Sequence, residues 1–145
     1  STPLTRILSQ PMNKTKNPKK YIERSQHLID IFHENGINLW CNFIFGYVGE
    51  RPDTLVQTIE FILRNKEKIG FLSGHGLIAF PGCQVFEEYK LLREKFNMSF
   101  SEKESYPELF HYRVNPSLDF TYEQMTALSQ VLLKIVNKKE NFIRK

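Results

Sequence analysis

An apolar stretch that runs into a glycine-rich turn constrains the fold more than any other feature of this chain. Residues 38–50 read NLWCNFIFGYVGE. Apolar residues without strict alternation predict a strand over residues 37–45 that is covered on both faces, as strands of parallel sheets are. Gly46 and Gly49 predict a tight turn, and Pro52 opens a helical pattern. A strand that leads through a short loop into a helix predicts an α/β protein.

The same alternation extends along most of the chain. Helices are predicted at residues 3–10, 19–35, 52–68, 84–96 and 121–138, and strands at residues 37–45 and 71–80. Short links between them predict βαβ units. Residues 97–118 break the pattern and predict an ordered, irregular segment, after which Thr121 and Gln124 form a capping box.

Composition limits the class of protein. The 145 residues include 41% hydrophobic and 25% charged residues, as in ordinary globular domains. No apolar window approaches the roughly 20 residues that a membrane-spanning helix needs, so a cytoplasmic protein without membrane contact is predicted. Two cysteines exclude a disulfide framework, and the four histidines show no metal-ligand spacing.

Basic residues are gathered locally within a net charge of +4. They cluster at residues 14–20 and 134–145, where solvated surface is the simplest interpretation. Contact with nucleic acid is the alternative.

The turn after the first predicted strand has two interpretations. Ligands of α/β proteins gather at the carboxyl ends of strands, and Gly46 has no Cβ to obstruct the approach of one. Alternatively, Gly46 and Gly49 only shape a βα loop, with Glu50 capping the following helix. The spacing alone leaves both open.

The predicted sheet also lacks cover for its edges. Two parallel strands cannot protect both edges of a sheet from solvent. Thr2 followed by Pro3 reads as the start of a helix at the first residues of the chain. Both features predict a piece of a longer protein.

The segment NFIFGYVGE, residues 42–50, resembles the fifth-strand motif of radical S-adenosylmethionine enzymes, commonly an apolar strand ending Gly-Phe-Pro-Gly-Glu. Three more segments resemble neighbouring motifs in the family's order: ILSQPMNK at 7–14, HLIDIFHENGINL at 27–39 and LIAFPGCQVFEEY at 77–89. The resemblance is closest to the group that often carries a cobalamin-binding domain. Val48 departs from the motif's proline and Asn42 from a frequent glycine.

This resemblance implies a fold. Residues 1–96 would be the C-terminal half of a partial TIM-type βα barrel with parallel strands. Residues 97–145 would be a helical C-terminal extension with a long helix at 121–138. The partner implied is the remainder of the parent barrel.

It also implies cofactors and site residues. The parent would use S-adenosylmethionine and a [4Fe–4S] cluster, with cobalamin in a separate domain, to make a 5′-deoxyadenosyl radical that abstracts hydrogen from a substrate. Ile44 would be the apolar neighbour of the adenine ring, and Gly46 would let the ring approach the backbone. Gly49 and Glu50 would shape the loop. The backbone of Ala79 and Phe80 would make hydrogen bonds to the edge of the adenine. Thr2 would be a polar contact, with the helix cap as its alternative.

The cysteine triplet that binds the cluster in this family is absent from the sequence. Cys41 and Cys83 cannot replace it, because three closely spaced thiolates are needed. The isolated chain is therefore predicted to bind no metal and to be inactive, while the parent would be an oxidoreductase or methyltransferase. Two alternatives stay open: a non-catalytic α/β module that binds a nucleotide or a protein, and an RNA-modifying member of the family.

Overall fold

Helices and strands alternate along the chain in a computed structural model that describes residues 17–101 and 106–137. In chain order the elements are α1 (Pro18–Glu34), β1 (Trp40–Phe45), α2 (Pro52–Arg64), β2 (Phe71–Gly76), β3 (Ile78–Ala79), α3 (Gln84–Glu87), α4 (Tyr89–Phe96), β4 (Ser99–Phe100), a 3₁₀ turn (Pro107–Leu109), β5 (Tyr112–Asn115) and α5 (Tyr122–Asn137). The predicted helix at residues 3–10 lies outside the described residues.

Two kinds of sheet are present. Strands β1 and β2 pair in parallel, in register from Trp40 opposite Phe71 to Phe45 opposite Gly76. This confirms the predicted mixture of helices with parallel strands. Strands β3, β5 and β4 form an antiparallel sheet in that order, which the sequence did not predict. The chain is therefore a mixed α/β protein.

The predicted helix starts agree with the structure. The Asn17 side chain accepts a hydrogen bond of 3.1 Å from the Lys20 N–H, as an N-cap residue does. The Thr121 hydroxyl accepts from the Gln124 N–H at 3.2 Å, and the Gln124 side chain accepts from the Thr121 N–H at 3.0 Å. Both ends of the capping box are thus present.

Several predicted boundaries were wrong. Helix α2 stops at Arg64, four residues early, where the buried amide of Asn65 donates to the Phe61 carbonyl at 2.9 Å. The same amide exchanges two hydrogen bonds with Gln26 of α1. The predicted helix at residues 84–96 is broken at Glu88 into α3 and α4. The end of α2 is explained by the contact between Asn65 and Gln26, which are 39 positions apart, so periodicity does not report it.

Two apolar cores hold these elements together. The first, here called the parallel core, lies between β1, β2, α2 and α5, and its fully or nearly buried members are Phe45, Leu55, Ile62, Ile69, Leu72, Met125, Leu132 and Val136. The second, the antiparallel core, consists of Val48, Leu77, Ala79, Val85, Leu92, Met98 and Val114. Residues 97–137 therefore supply part of both cores.

Helix α5 covers one edge of the parallel pair. The side chain of Asn137 donates to the Leu72 carbonyl at 2.8 Å and accepts from the Leu72 N–H at 2.9 Å. An amide side chain thus makes the two bonds that a peptide group of a further strand would make. Within residues 17–101 and 106–137, no further strand pairs with β2. No strand among the described residues pairs with the other edge of β1.

A search of the described helices for membrane spans was negative. None of them, from α1 to α5, has both the length and the apolar composition that crossing a bilayer requires.

Candidate functional site

One face of the parallel pair is not covered by the described part of the chain. Side chains of a strand alternate between its two faces, and here burial alternates with them, although hydrophobicity in β1 does not. The uncovered face, called the open face below, carries Trp40, Asn42 and Ile44 of β1 and Phe71, Ser73 and His75 of β2. The expectation that β1 is covered on both faces is wrong for the described residues.

A short hydrogen-bonded array crosses the open face near its amino end. The Trp40 indole N–H donates to the Ser73 hydroxyl at 3.2 Å, and that hydroxyl donates to the Asn42 side-chain oxygen at 3.1 Å. The Trp40 ring meets Phe71 edge-on, with 4.6 Å between the ring centroids. Trp40 is nevertheless 69% exposed. The open face is therefore ordered by its own contacts and still has room for an occupant.

Ile44 and His75 stand opposite each other at the carboxyl end of the open face. Ile44 is 38% exposed and His75 is also exposed. Ligand sites of parallel sheets lie outside the carboxyl ends of the strands. The predicted adenine neighbour Ile44 therefore lies at the position in the sheet where a ligand would be found.

The turn after β1 adopts the predicted conformation. Gly46 and Gly49 have φ of +73° and +90°, which favour glycine over residues with a Cβ. The Gly49 N–H donates to the Pro116 carbonyl at 2.9 Å, and the Glu50 N–H donates to the Tyr47 carbonyl at 2.9 Å. The turn is thus tied back on itself and to the segment before α5.

Packing within the chain explains why positions 46 and 49 are glycine without invoking a ligand. A Cβ on Gly46 would lie 2.4 Å from Cγ of Met125, and one on Gly49 would lie 2.9 Å from the ring of Phe96. Side chains of this chain therefore occupy the space beside both glycines in the direction of a Cβ. The interpretation in which the glycines shape a loop accounts for them within the described residues.

Glu50 is enclosed by the protein. It is 3% exposed, and its carboxylate accepts a hydrogen bond from the Thr54 hydroxyl. Burial raises the pKa of the Glu50 carboxyl, while the hydrogen bonds from Thr54 and from the Gly46 N–H act in the opposite direction. The Glu50 carbonyl accepts from the Ser117 hydroxyl at 2.8 Å. Through these contacts Glu50 connects the end of β1, helix α2 and the segment before α5.

The two predicted residues that follow β2 differ in exposure. Ala79 is fully buried in the antiparallel core and pairs with Tyr112 of β5. Phe80 is 49% exposed and meets the ring of His111 edge-on, 5.8 Å between centroids. Phe80 is therefore accessible to a ligand, whereas the β5 edge of β3 is already occupied at Ala79. Thr2 lies outside the described residues.

No group of three potential metal ligands exists within residues 17–101 and 106–137. Cys41 and Cys83 are both half-buried free thiols, and burial raises the pKa of Cys41. A raised pKa keeps that sulfur as a thiol, which is the form that does not bind metals.

Sequence reasoning missed His75 and the array of Trp40, Asn42 and Ser73. The available signal was the spacing of Trp40, Asn42 and Ile44 at every second residue, which places them on one face of a strand. The register with β2 could not be read from the sequence, so the contribution of Ser73 and His75 was not visible.

The chain matches no protein-family model, no curated protein and no solved structure.

Proposed function

We propose that this chain is part of a radical S-adenosylmethionine iron–sulfur enzyme and supplies two neighbouring strands of its partial βα barrel. The observation that carries the proposal is the open face of the parallel pair. In a βα barrel the helices surround the strands and the opposite face of each strand points into the barrel. Strands β1 and β2 have helices on one face and an uncovered aromatic and polar face on the other.

The side chains of the open face support an interior position. Parallel sheets are normally covered on both faces. Trp40, at 69% exposure, and Ile44, at 38%, lie on the same face of β1, and their apolar surface is costly in contact with water. Further strands of the parent would cover these residues while leaving the carboxyl end accessible to a ligand.

The two edges of the sheet support the order of the strands. Asn137 occupies the backbone N–H and carbonyl of Leu72, so a further strand could not pair with β2 at that residue. Further strands of the parent would therefore pair with the edge of β1 that no described strand occupies. The motif resemblance assigns β1 to strand five and the end of the predicted strand at 71–80, which the structure divides into β2 and β3, to strand six. The strands that complete the barrel would therefore all precede β1.

Within this proposal the residues divide by accessibility. Ile44 packs against the adenine ring of S-adenosylmethionine, and Phe80 borders it. The loop after β1 and strand β3 are held in place by buried residues, namely Gly46, Gly49, Glu50 and Ala79. The cysteine ligands of the cluster would lie in the remainder of the parent protein, and the cluster would supply the electron for reductive cleavage of S-adenosylmethionine.

The test uses the parent protein, reconstituted with iron and sulfide without oxygen and assayed for reductive cleavage of S-adenosylmethionine to 5′-deoxyadenosine. We expect Ile44→Asp to weaken binding of S-adenosylmethionine about tenfold, because one apolar contact with the ring is lost. The control is Val56→Asp on α2, which is 50% exposed, against 38% for Ile44, and lies away from the open face.

Two results would overturn the proposal. One is a parent sequence without three closely spaced cysteines before residue 1. The other is a stoichiometric iron–sulfur cluster in the 145-residue chain alone, which we expect to bind none.

The second candidate function is a non-catalytic α/β module that binds a partner protein through the open face. The exposure of Trp40 favours it, since exposed tryptophan is common at protein interfaces. A parent without the cysteine triplet would support this candidate in place of the enzyme.

A further inference from the structure

His75 differs from the other histidines of the described residues by its position in the sheet. It is the fifth residue of β2, lies opposite Ile44 in register, and belongs to the open face. Its side chain is exposed. Of the remaining three, His27 and His33 lie on α1, and His111 has its Nε2 buried without a partner. His75 is thus the histidine at the carboxyl end of the parallel strands.

The tautomer of His75 is set by a contact with the backbone. Its Nδ1 lies 2.5 Å from the carbonyl oxygen of Gly76. A carbonyl oxygen only accepts hydrogen bonds, so Nδ1 carries the proton in this contact. In the neutral ring Nε2 then holds a lone pair and can only accept. The residue that pairs with Ile44 in register therefore carries a ring nitrogen that can accept a hydrogen bond.

The distance between neighbouring strands is comparable to the length of a fused ring system such as a purine. Neighbouring strands lie about 4.8 Å apart, so a planar ring system that rests on Ile44 extends over the adjacent strand. The edge of that ring would then meet the imidazole of His75. An acceptor at this place selects a ring edge that carries an N–H donor.

We propose that His75 selects an amino-purine over an oxo-purine at the carboxyl end of the open face, with Nε2 accepting a hydrogen bond from the exocyclic amino group. The inference rests on the proposed function, because it needs a purine against Ile44. An oxo group at the same position would face the lone pair of Nε2 and would leave both acceptors without a donor.

The experiment compares adenosine with inosine as probes of the 145-residue chain, labelled with ¹⁵N and ¹³C and observed by NMR. Long-range ¹H–¹⁵N spectra of the histidine rings, at mildly alkaline pH, report the tautomer of His75 directly. Titration of each nucleoside then reports whether the Ile44 methyl signals and the His75 ring nitrogens shift. We expect a preference of about three- to tenfold for adenosine, as one hydrogen bond provides.

Two substitutions separate the roles of the ring nitrogens. His75→Asn keeps an N–H near Gly76 but removes the acceptor at the Nε2 position, so it should abolish the preference while the chain stays folded. His75→Gln places an amide oxygen near that position and should recover part of it. His33→Asn, on the exposed side of α1, is the matched control and should keep the preference.

The outcomes distinguish this inference from the proposed function. Shifts of Ile44 with an unmoved His75 ring, equal binding of the two nucleosides, or a proton on Nε2 would overturn the role of His75 and leave the adenosine site standing. Absence of shifts at both Ile44 and His75 with either nucleoside would overturn the adenosine site and the role of His75 together.

Discussion

The two faces of the parallel pair β1–β2 come from the same strands and meet opposite environments. On the covered face, Phe45 and Leu72 are fully buried against α5. On the open face, Trp40 and Ile44 keep much of their surface exposed, although both are as apolar as their buried neighbours. The difference shows that the apolar residues of the open face contribute little to the cores formed by residues 17–101 and 106–137.

The largest expected effect compares adjacent residues on the two faces. Phe45→Ala should lower the free energy of unfolding by about 3–5 kcal/mol, because it leaves a cavity in the parallel core. Ile44→Ala should lower it by only about 1 kcal/mol, since Ile44 is 38% exposed and its truncation leaves no enclosed cavity. Urea denaturation followed by circular dichroism measures both. Equal losses would mean that the open face is a core surface of the isolated chain.

The next comparison concerns two turn glycines with positive φ. Gly46→Ala should cost about 2–4 kcal/mol, since backbone strain adds to the overlap with Met125. Gly82→Ala is the matched control, because its φ is +90° and an added Cβ would meet nothing within 4 Å. It should cost only the strain, about 1–2 kcal/mol. The same denaturation assay applies.

If the two glycine variants proved equally stable, Met125 would not be the reason for Gly46. The alternative hypothesis, that position 46 is glycine so that a ligand can approach the backbone, would then be favoured.

The smallest expected effect depends on pH and concerns Glu50. Its pKa in the folded protein is raised by burial, so folding favours the protonated carboxyl. The contribution of this group to stability is therefore present below the ordinary value of 4.5 and is lost as pH rises through the folded-state pKa. Glu50→Gln, which stays neutral, should gain stability relative to the wild type as pH increases.

Denaturation of both proteins across a pH series measures this difference. Glu60→Gln, at an exposed position of α2, is the control and should show no comparable trend. A stability difference between Glu50→Gln and the wild type that falls with increasing pH would contradict the raised pKa.

Local chemistry could be predicted well from the sequence. Thr121 and Gln124 are three positions apart, so their capping box was visible. The tight turn at Gly46 and Gly49 could be predicted for the same reason.

Contacts between distant residues could not be predicted in this way. Met125 meets Gly46 across 79 positions of sequence, and no local pattern announces that approach. The antiparallel sheet was missed because its strands are two to four residues long, too short for a periodic signal. For the candidate site, Ile44 was found through its motif, whereas His75 needed the register between the strands.

The bond between Asn137 and Leu72 also has a consequence for biosynthesis. The two residues are separated by 65 positions, so the backbone groups of β2 have no partner from α5 until that helix has left the ribosome. Until then a nascent chain exposes a strand edge that can pair with other polypeptides. This part of the β2 edge is thus completed only after Asn137 has been synthesised, and a chaperone that shields β2 in the meantime would raise the yield of native protein.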